Sequence, residues 1–209
     1  MSRKYKIMIV EDQTMPRQLF ELFIKSSDRY EVAISIDNAE FADVYCLKNP
    51  VDLILMDVVT KNGANGLVAA EKIKKAHPEI KIIIVTSMPE CSYIDKAKAI
   101  GVDSFWYKEI SEQPIMEIID RTIAGEKIFP ETTPKMKFGF ATSHDFTDRE
   151  LSVLREMTGG FTNPEIGEHL NMSVSTVKTH IQSMLDKTGF RNRTELAVKA
   201  RESGIVILD

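Results

Sequence analysis

Cysteine is scarce in this chain: Cys46 and Cys91 lie far apart, outside any CxxC or Cys/His spacing, so neither a zinc site nor a disulfide framework is indicated. Long apolar runs are missing as well. After Arg3, Lys4 and Lys6 the first hydrophobic stretch is only Ile7 to Val10, too short for a signal-peptide core or a membrane span. No membrane partner is expected, and a cytoplasmic location follows by default. Internal repeats and low-complexity tracts are absent too. Charge of one sign is in no large excess: the formal net charge is −4, which suggests neither disorder nor a polyanionic partner. That balance conceals a local one. From Ser173 to Glu202 the cations Lys178, Lys187, Arg191, Arg193, Lys199 and Arg201 outnumber Asp186, Glu195 and Glu202, a modest basic patch in an otherwise acidic chain.

What is present is an ordered series of strand ends. Ile7 to Val10 stops on Glu11 and Asp12, Leu53 to Met56 on Asp57, Ile82 to Val85 on Thr86, and Phe105 to Tyr107 on Lys108. Ligand sites in open parallel sheets form at such ends. Crowded carboxylates repel one another and stay ionised only beside a cation, and an all-oxygen set suits Mg²⁺. With the hydroxyl of Thr86 and the ammonium of Lys108, the set is equipped to hold a phosphoryl group on a carboxylate. Singly, each residue reads as a turn, cap or solvated side chain. Their order along the chain carries the weight.

Strand and helix patterns alternate up to about residue 124, with helices expected from Pro16, from the Asp37-Asn38 cap to Leu47, from Gly66 to Ala76, from Tyr93 to Ile100 and from Ile115 to Ala124. A (βα)₅ pattern with right-handed crossovers predicts an α/β flavodoxin-like domain of strand order 2-1-3-4-5. These residues resemble the receiver domain of two-component response regulators over about Lys4 to Ala124. The resemblance implies that Asp57 is the phosphoacceptor and that Glu11, Asp12, Asp57 and the Val59 carbonyl bind Mg²⁺. It also implies that Thr86 and Lys108 contact the phosphoryl group, and that Thr86 and Phe105 act as switch residues.

Residues 125–144 include Pro130, Pro134, Gly139 and consecutive threonines without helical or strand period, and read as a linker between a domain over residues 1–124 and a second over 145–209. The second is helical by period. Thr147 to Glu150 forms an S/T-x-x-E capping box, Asn163 with Pro164 starts another helix, a turn at Asn171 to Ser173 leads to a third, and Thr194 to Ser203 is a fourth before Gly204. Two short helices joined by a tight turn make a helix-turn-helix, whose second helix enters the major groove of double-stranded DNA. Spacing puts Lys178, Thr179 and Gln182 on the outer side of the third helix as base readers, while Ser175, Thr176, His180, Asn163, Thr162 and Lys187 suit phosphate or capping roles. The stretches Phe146 to Glu150, Asn163 to Gly167, Ser173 to His180 and Arg191 to Leu196 resemble the LuxR-type helix-turn-helix. Together the two halves resemble response regulators of the NarL/FixJ-like subfamily. The resemblance implies a sensor histidine kinase as phosphodonor, a homodimer on phosphorylation, and regulation of transcription rather than enzymatic turnover of a separate substrate.

The pattern is departed from in places. The loop Val58 to Gly66 is one residue longer than is common and lacks Met-Pro, Ser87 replaces the usual Ala or Gly, and Lys108 precedes Glu109 where the family has proline after a cis bond. A non-proline cis bond costs roughly 3 kcal/mol, so both a strained cis and a trans bond stay open at Lys108–Glu109. The altered loop keeps one alternative alive, a phosphorylation-independent regulator or protein-interaction scaffold. A dehalogenase-like phosphatase is disfavoured because it needs an acid two residues past its nucleophile, where Val59 stands.

Overall fold

The computed structural model describes residues 3–88, 92–108, 111, 113–131 and 133–206. It divides into two compact units, Met1–Ser87 with Ser92–Glu131 and Met88–Cys91 with Thr132–Asp209.

In the first unit the elements run β1 (Tyr5–Val10), α1 (Thr14–Lys25), β2 (Tyr30–Ile36), α2 (Ala42–Lys48), β3 (Leu53–Asp57), β4 (Val59–Thr60), β5 (Ala64–Asn65), α3 (Gly66–Ala76), β6 (Lys81–Thr86), α4 (Ser92–Ile100), β7 (Ser104–Tyr107) and α5 (Ile115–Ile123). The main sheet is parallel, in order β2-β1-β3-β6-β7, the arrangement expected from the (βα)₅ pattern. Its central strands are apolar throughout because both faces are covered. Ile7, Ile9, Leu53, Leu55, Ile83 and Val85 pack with Phe20 and Ile24 of α1 and Ile115, Ile118 and Ile119 of α5. Alternation turns Met8, Ile54, Met56, Ile82 and Ile84 to the other face, where they are fully buried. Asp103 closes the far end of the sheet: buried itself, it pairs with Lys74 at 2.5 Å and Lys81 at 2.9 Å and accepts from the Ile82 N–H.

The second unit contains β8 (Lys137–Phe138), β9 (Ala141–Thr142), α6 (Asp148–Thr158), α7 (Asn163–His169), α8 (Val174–Thr188) and α9 (Arg193–Ser203). Its core gathers Leu151, Leu154 and Met157 of α6, Ile166 of α7, Val177, Ile181 and Met184 of α8, and Leu196 and Ala200 of α9. Among the described residues, no helix is long and apolar enough to cross a membrane.

The structure corrects or adds to the sequence reading at three places. Residues 125–144 are not uniformly without structure. Ile128 bridges to Ser104 and accepts from the Phe105 N–H, while β8 and β9 form a hairpin that buries Phe138 and Ala141 in the second core. Gly139, at the hairpin's tip, has φ +65°, and a Cβ there would fall 2.1 Å from the Thr188 carbonyl oxygen. The second is the loop after Asp57, left without a predicted conformation, which folds as the β4–β5 hairpin around Asn62 (φ 62°) and Gly63 (φ +75°). Thr60 secures it, accepting from the Ala39 N–H and donating to the Ala64 carbonyl. The third is the start of α7: its N-cap is Thr162, not Asn163, because Glu165 three residues on accepts from both the N–H and the hydroxyl of Thr162. The Asn163 side chain instead accepts from Arg193 of α9.

Candidate functional site

At the carboxyl ends of β1, β3, β6 and β7 the expected groups converge. Carboxylate oxygens of Glu11, Asp12 and Asp57 all lie within 4.8 Å of one another. Lys108 places its ammonium 2.8 Å from Asp57 Oδ2 and 2.5 Å from Glu11 Oε2, with all three side chains at least nine-tenths buried. The Val58 N–H donates to Asp57 Oδ1 at 2.7 Å, so both oxygens of this carboxylate are engaged. Thr86, at the end of β6, is fully buried, and its carbonyl accepts from the Lys108 N–H. Phe105 points into the core, its ring 5.0 Å from that of Tyr107. Val59, two residues past Asp57, lies in β4 opposite Asn65. The Lys108–Glu109 peptide falls outside the described residues.

One ammonium faces too much negative charge here. Burial pushes the Asp57 carboxyl up, Lys108 pulls it back, Glu11 pushes it up again, and the outcome is about 7. Burial works to lower Lys108, but Asp57 and Glu11 prevail and hold it above the ordinary lysine value. A buried all-oxygen group with such an excess of charge fits a hard divalent cation.

Two contributors have little or no sequence signal. Arg17 donates to the Glu11 carbonyl and the Gln13 N–H to Glu11 Oε1, which fixes the first acid. Gly66 begins α3 directly against the end of β3: its N–H donates to the Val58 carbonyl, and a Cβ would lie 1.9 Å from the Asp57 carbonyl oxygen. Gly66→Ala is therefore expected to displace the backbone beside Asp57 and cost roughly 3 kcal/mol. Denaturant unfolding followed by Trp106 fluorescence checks this, since Trp106 is the chain's one tryptophan and lies in this unit.

In the second unit α8 buries Val177, Ile181, Met184 and Thr188 and leaves Ser175, Lys178, Thr179 and Gln182 exposed on the opposite side. Ser173 caps the helix by accepting from the Thr176 N–H, and its hydroxyl also meets that of Thr176. The Thr179 hydroxyl donates to the Ser175 carbonyl, and His180 is half-buried beside Ile181. Lys187 turns away from the exposed face. Its ammonium lies 2.7 Å from Glu150 Oε2, donates to the Asp145 carbonyl and stands over the Phe146 ring.

Both units are similar to known proteins. The profile "Response regulator receiver domain" matches residues 7–120, and "Bacterial regulatory proteins, luxR family" matches residues 144–200. The response regulator protein VraR of Staphylococcus aureus strain Mu3 is 29% identical over 206 residues, covering 96% of this chain and 98% of the relative. RcsB from Salmonella enterica serovar Typhimurium, solved bound to the rprA promoter with a phosphomimetic, shares the fold at TM-score 0.61 and 17% identity, over 97% of this chain and 100% of that one. A LuxR-family DNA-binding response regulator from Staphylococcus aureus superposes at TM-score 0.53 with 30% identity, over 57% of this chain and 98% of that one. The receiver match alone spans more than half of the 209 residues and the luxR match follows it, so the chain belongs to the two-component response regulators, as a phosphorylation-controlled transcription regulator with a LuxR-type DNA-binding domain.

Proposed function

We propose that Asp57 accepts the phosphoryl group from a sensor histidine kinase, and that Glu11, Asp12, Asp57 and the Val59 carbonyl hold a Mg²⁺ ion at the site. The observation that carries this reading is the clustering of three carboxylates, two of them paired with one buried ammonium. When bound, the cation supplies charge neutralisation for phosphate oxygens. The chain's own groups divide the rest. Asp57 presents the nucleophilic oxygen, Lys108 balances the charge of the aspartyl phosphate, and Thr86 donates a hydrogen bond to it. Movement of Thr86 and Phe105 then carries the signal outward.

On the output side α8 is the reading helix. Lys178, Thr179 and Gln182 face base edges, Ser175, Thr176, His180 and Asn163 lie toward the phosphate backbone, and phosphorylation favours a homodimer on two half-sites. Lys187 has a smaller part in DNA contact than its charge suggests, because Glu150 already binds its ammonium. The test of the input reaction is direct. The full chain incubated with acetyl phosphate is expected to show a retarded band on a phosphate-affinity gel with Mg²⁺ and none with excess chelator. Equal labelling in both would remove the metal from the account.

A further inference from the structure

The exposed side of α8 carries one acid, Asp186, one helical turn beyond Gln182. A carboxylate on a surface that approaches DNA repels phosphates, and among the described residues Asp186 has no cation partner to neutralise it. Its partner is neutral: Gln182 Nε2 donates to Asp186 Oδ1 at 2.8 Å. Lys187, next in sequence, is drawn off to Glu150 on another face of the helix.

The chemistry of this contact fixes which way the amide faces. An ionised carboxylate only accepts, so the NH₂ end of Gln182 must turn toward it, since the reversed amide would set two acceptor oxygens against each other. One hydrogen of the NH₂ is then committed to Asp186. When Asp186 takes the hydrogen anti to Oε1, the other, on the same side as Oε1, stays available together with Oε1. That donor–acceptor pair matches the major-groove edge of adenine, where N6–H donates and N7 accepts. Guanine offers acceptors at both O6 and N7, so the held Oε1 would meet O6 and be repelled. A free glutamine could rotate and donate to guanine instead.

We infer that Asp186 is a positioning residue for DNA reading, holding the Gln182 amide in the orientation that selects adenine over guanine. The inference rests on the reading of α8 as the recognition helix and adds a residue that does not itself touch a base. It carries two consequences of opposite sign. Asp186 lowers affinity for every DNA sequence through its charge, and raises discrimination at the single base pair that Gln182 meets.

The full-length chain, Gln182→Ala, Asp186→Ala and Asp186→Glu are each used to select from a random-sequence duplex library after treatment with acetyl phosphate and Mg²⁺. Gln182→Ala identifies the position, as the one whose preference it erases. In Asp186→Ala the adenine-to-guanine ratio at that position is expected to fall about fivefold, the cost of ordering one freed side chain, while binding to all sequences tightens. Asp186→Glu keeps the acceptor and the charge and is expected to retain the ratio. Tighter binding of Asp186→Ala to all sequences with an unchanged ratio would reduce the acid to a mere surface charge and overturn the inference. So would a Gln182→Ala protein that loses preference nowhere. Failure of the unsubstituted chain to select any sequence would instead defeat the reading of α8 as a DNA-binding helix, a result separate from the other two.

Discussion

The Asp57→Asn protein is expected to take up no acid-labile phosphate from acetyl phosphate and Mg²⁺, while the unsubstituted chain is expected to be labelled. An amide oxygen of the same shape fits the pocket but is no nucleophile, and Glu11 is already tied to Lys108 and the Gln13 N–H. The same substitution has a second effect that labelling does not see. Burial holds the Asp57 carboxyl at about 7, against about 3.9 for an unfolded aspartate, so the folded state binds this proton more tightly than the unfolded state does. In chelator, the stability it lends the first unit is therefore full below about pH 4 and is lost as pH rises through about 7. Asp57→Asn is expected to abolish that decline and to leave the metal-free unit about 2–4 kcal/mol more stable at pH 8. Trp106 fluorescence during urea unfolding measures it. Undiminished labelling of the Asp57→Asn protein would move the phosphoacceptor elsewhere.

Glu150→Ala is expected to destabilise the second unit by about 2–4 kcal/mol and leave the first untouched. The Glu150 side chain is 4% exposed and joins α6 to α8: it accepts from the Lys187 ammonium, the Ser183 hydroxyl and the Thr147 N–H and hydroxyl. Burial opposes its charge, but Lys187, Thr147 and Ser183 overcome that and hold the carboxyl down at about 2. Here the folded state holds the proton less tightly than the unfolded state. The stability is present above about pH 4.5 and is lost as pH falls toward about 2. The tryptophan and all five tyrosines, Tyr5, Tyr30, Tyr45, Tyr93 and Tyr107, lie in the first unit, so two probes separate the effects. Circular dichroism at a helix wavelength should show an early transition in Glu150→Ala that Trp106 fluorescence lacks. Coincident, unshifted transitions would deny the ion pair its role.

Much of the candidate input site's geometry was legible because it is local in the chain. Each acid, hydroxyl or ammonium directly follows an apolar run, so the pattern that marks the strand also marks its functional end. Helix α3 runs from Gly66 to Ala76, the bounds expected from its pattern, with Asn65 as its cap. What escaped the sequence depends on short elements or distant partners. The β4–β5 and β8–β9 strands have two residues each, too few for a period to register. Thr162 and Asn163 are adjacent and both are good caps, and only the use of Glu165 and Arg193 decides between them. Lys187 reads as a DNA cation because Glu150, its partner, lies 37 residues away. Gly66 reads only as the first residue of a helix until the Asp57 carbonyl is placed against it.

The central claim is that phosphate on Asp57 controls DNA binding by α8. It is tested most directly by titrating the full chain onto a duplex with two half-sites, recovered from a random library, with and without acetyl phosphate and Mg²⁺. Phosphorylation is expected to tighten binding of the unsubstituted chain roughly tenfold or more, with two protomers per duplex, and to leave Asp57→Asn unchanged. Equal affinity in the two states, or the same gain in Asp57→Asn, would contradict it.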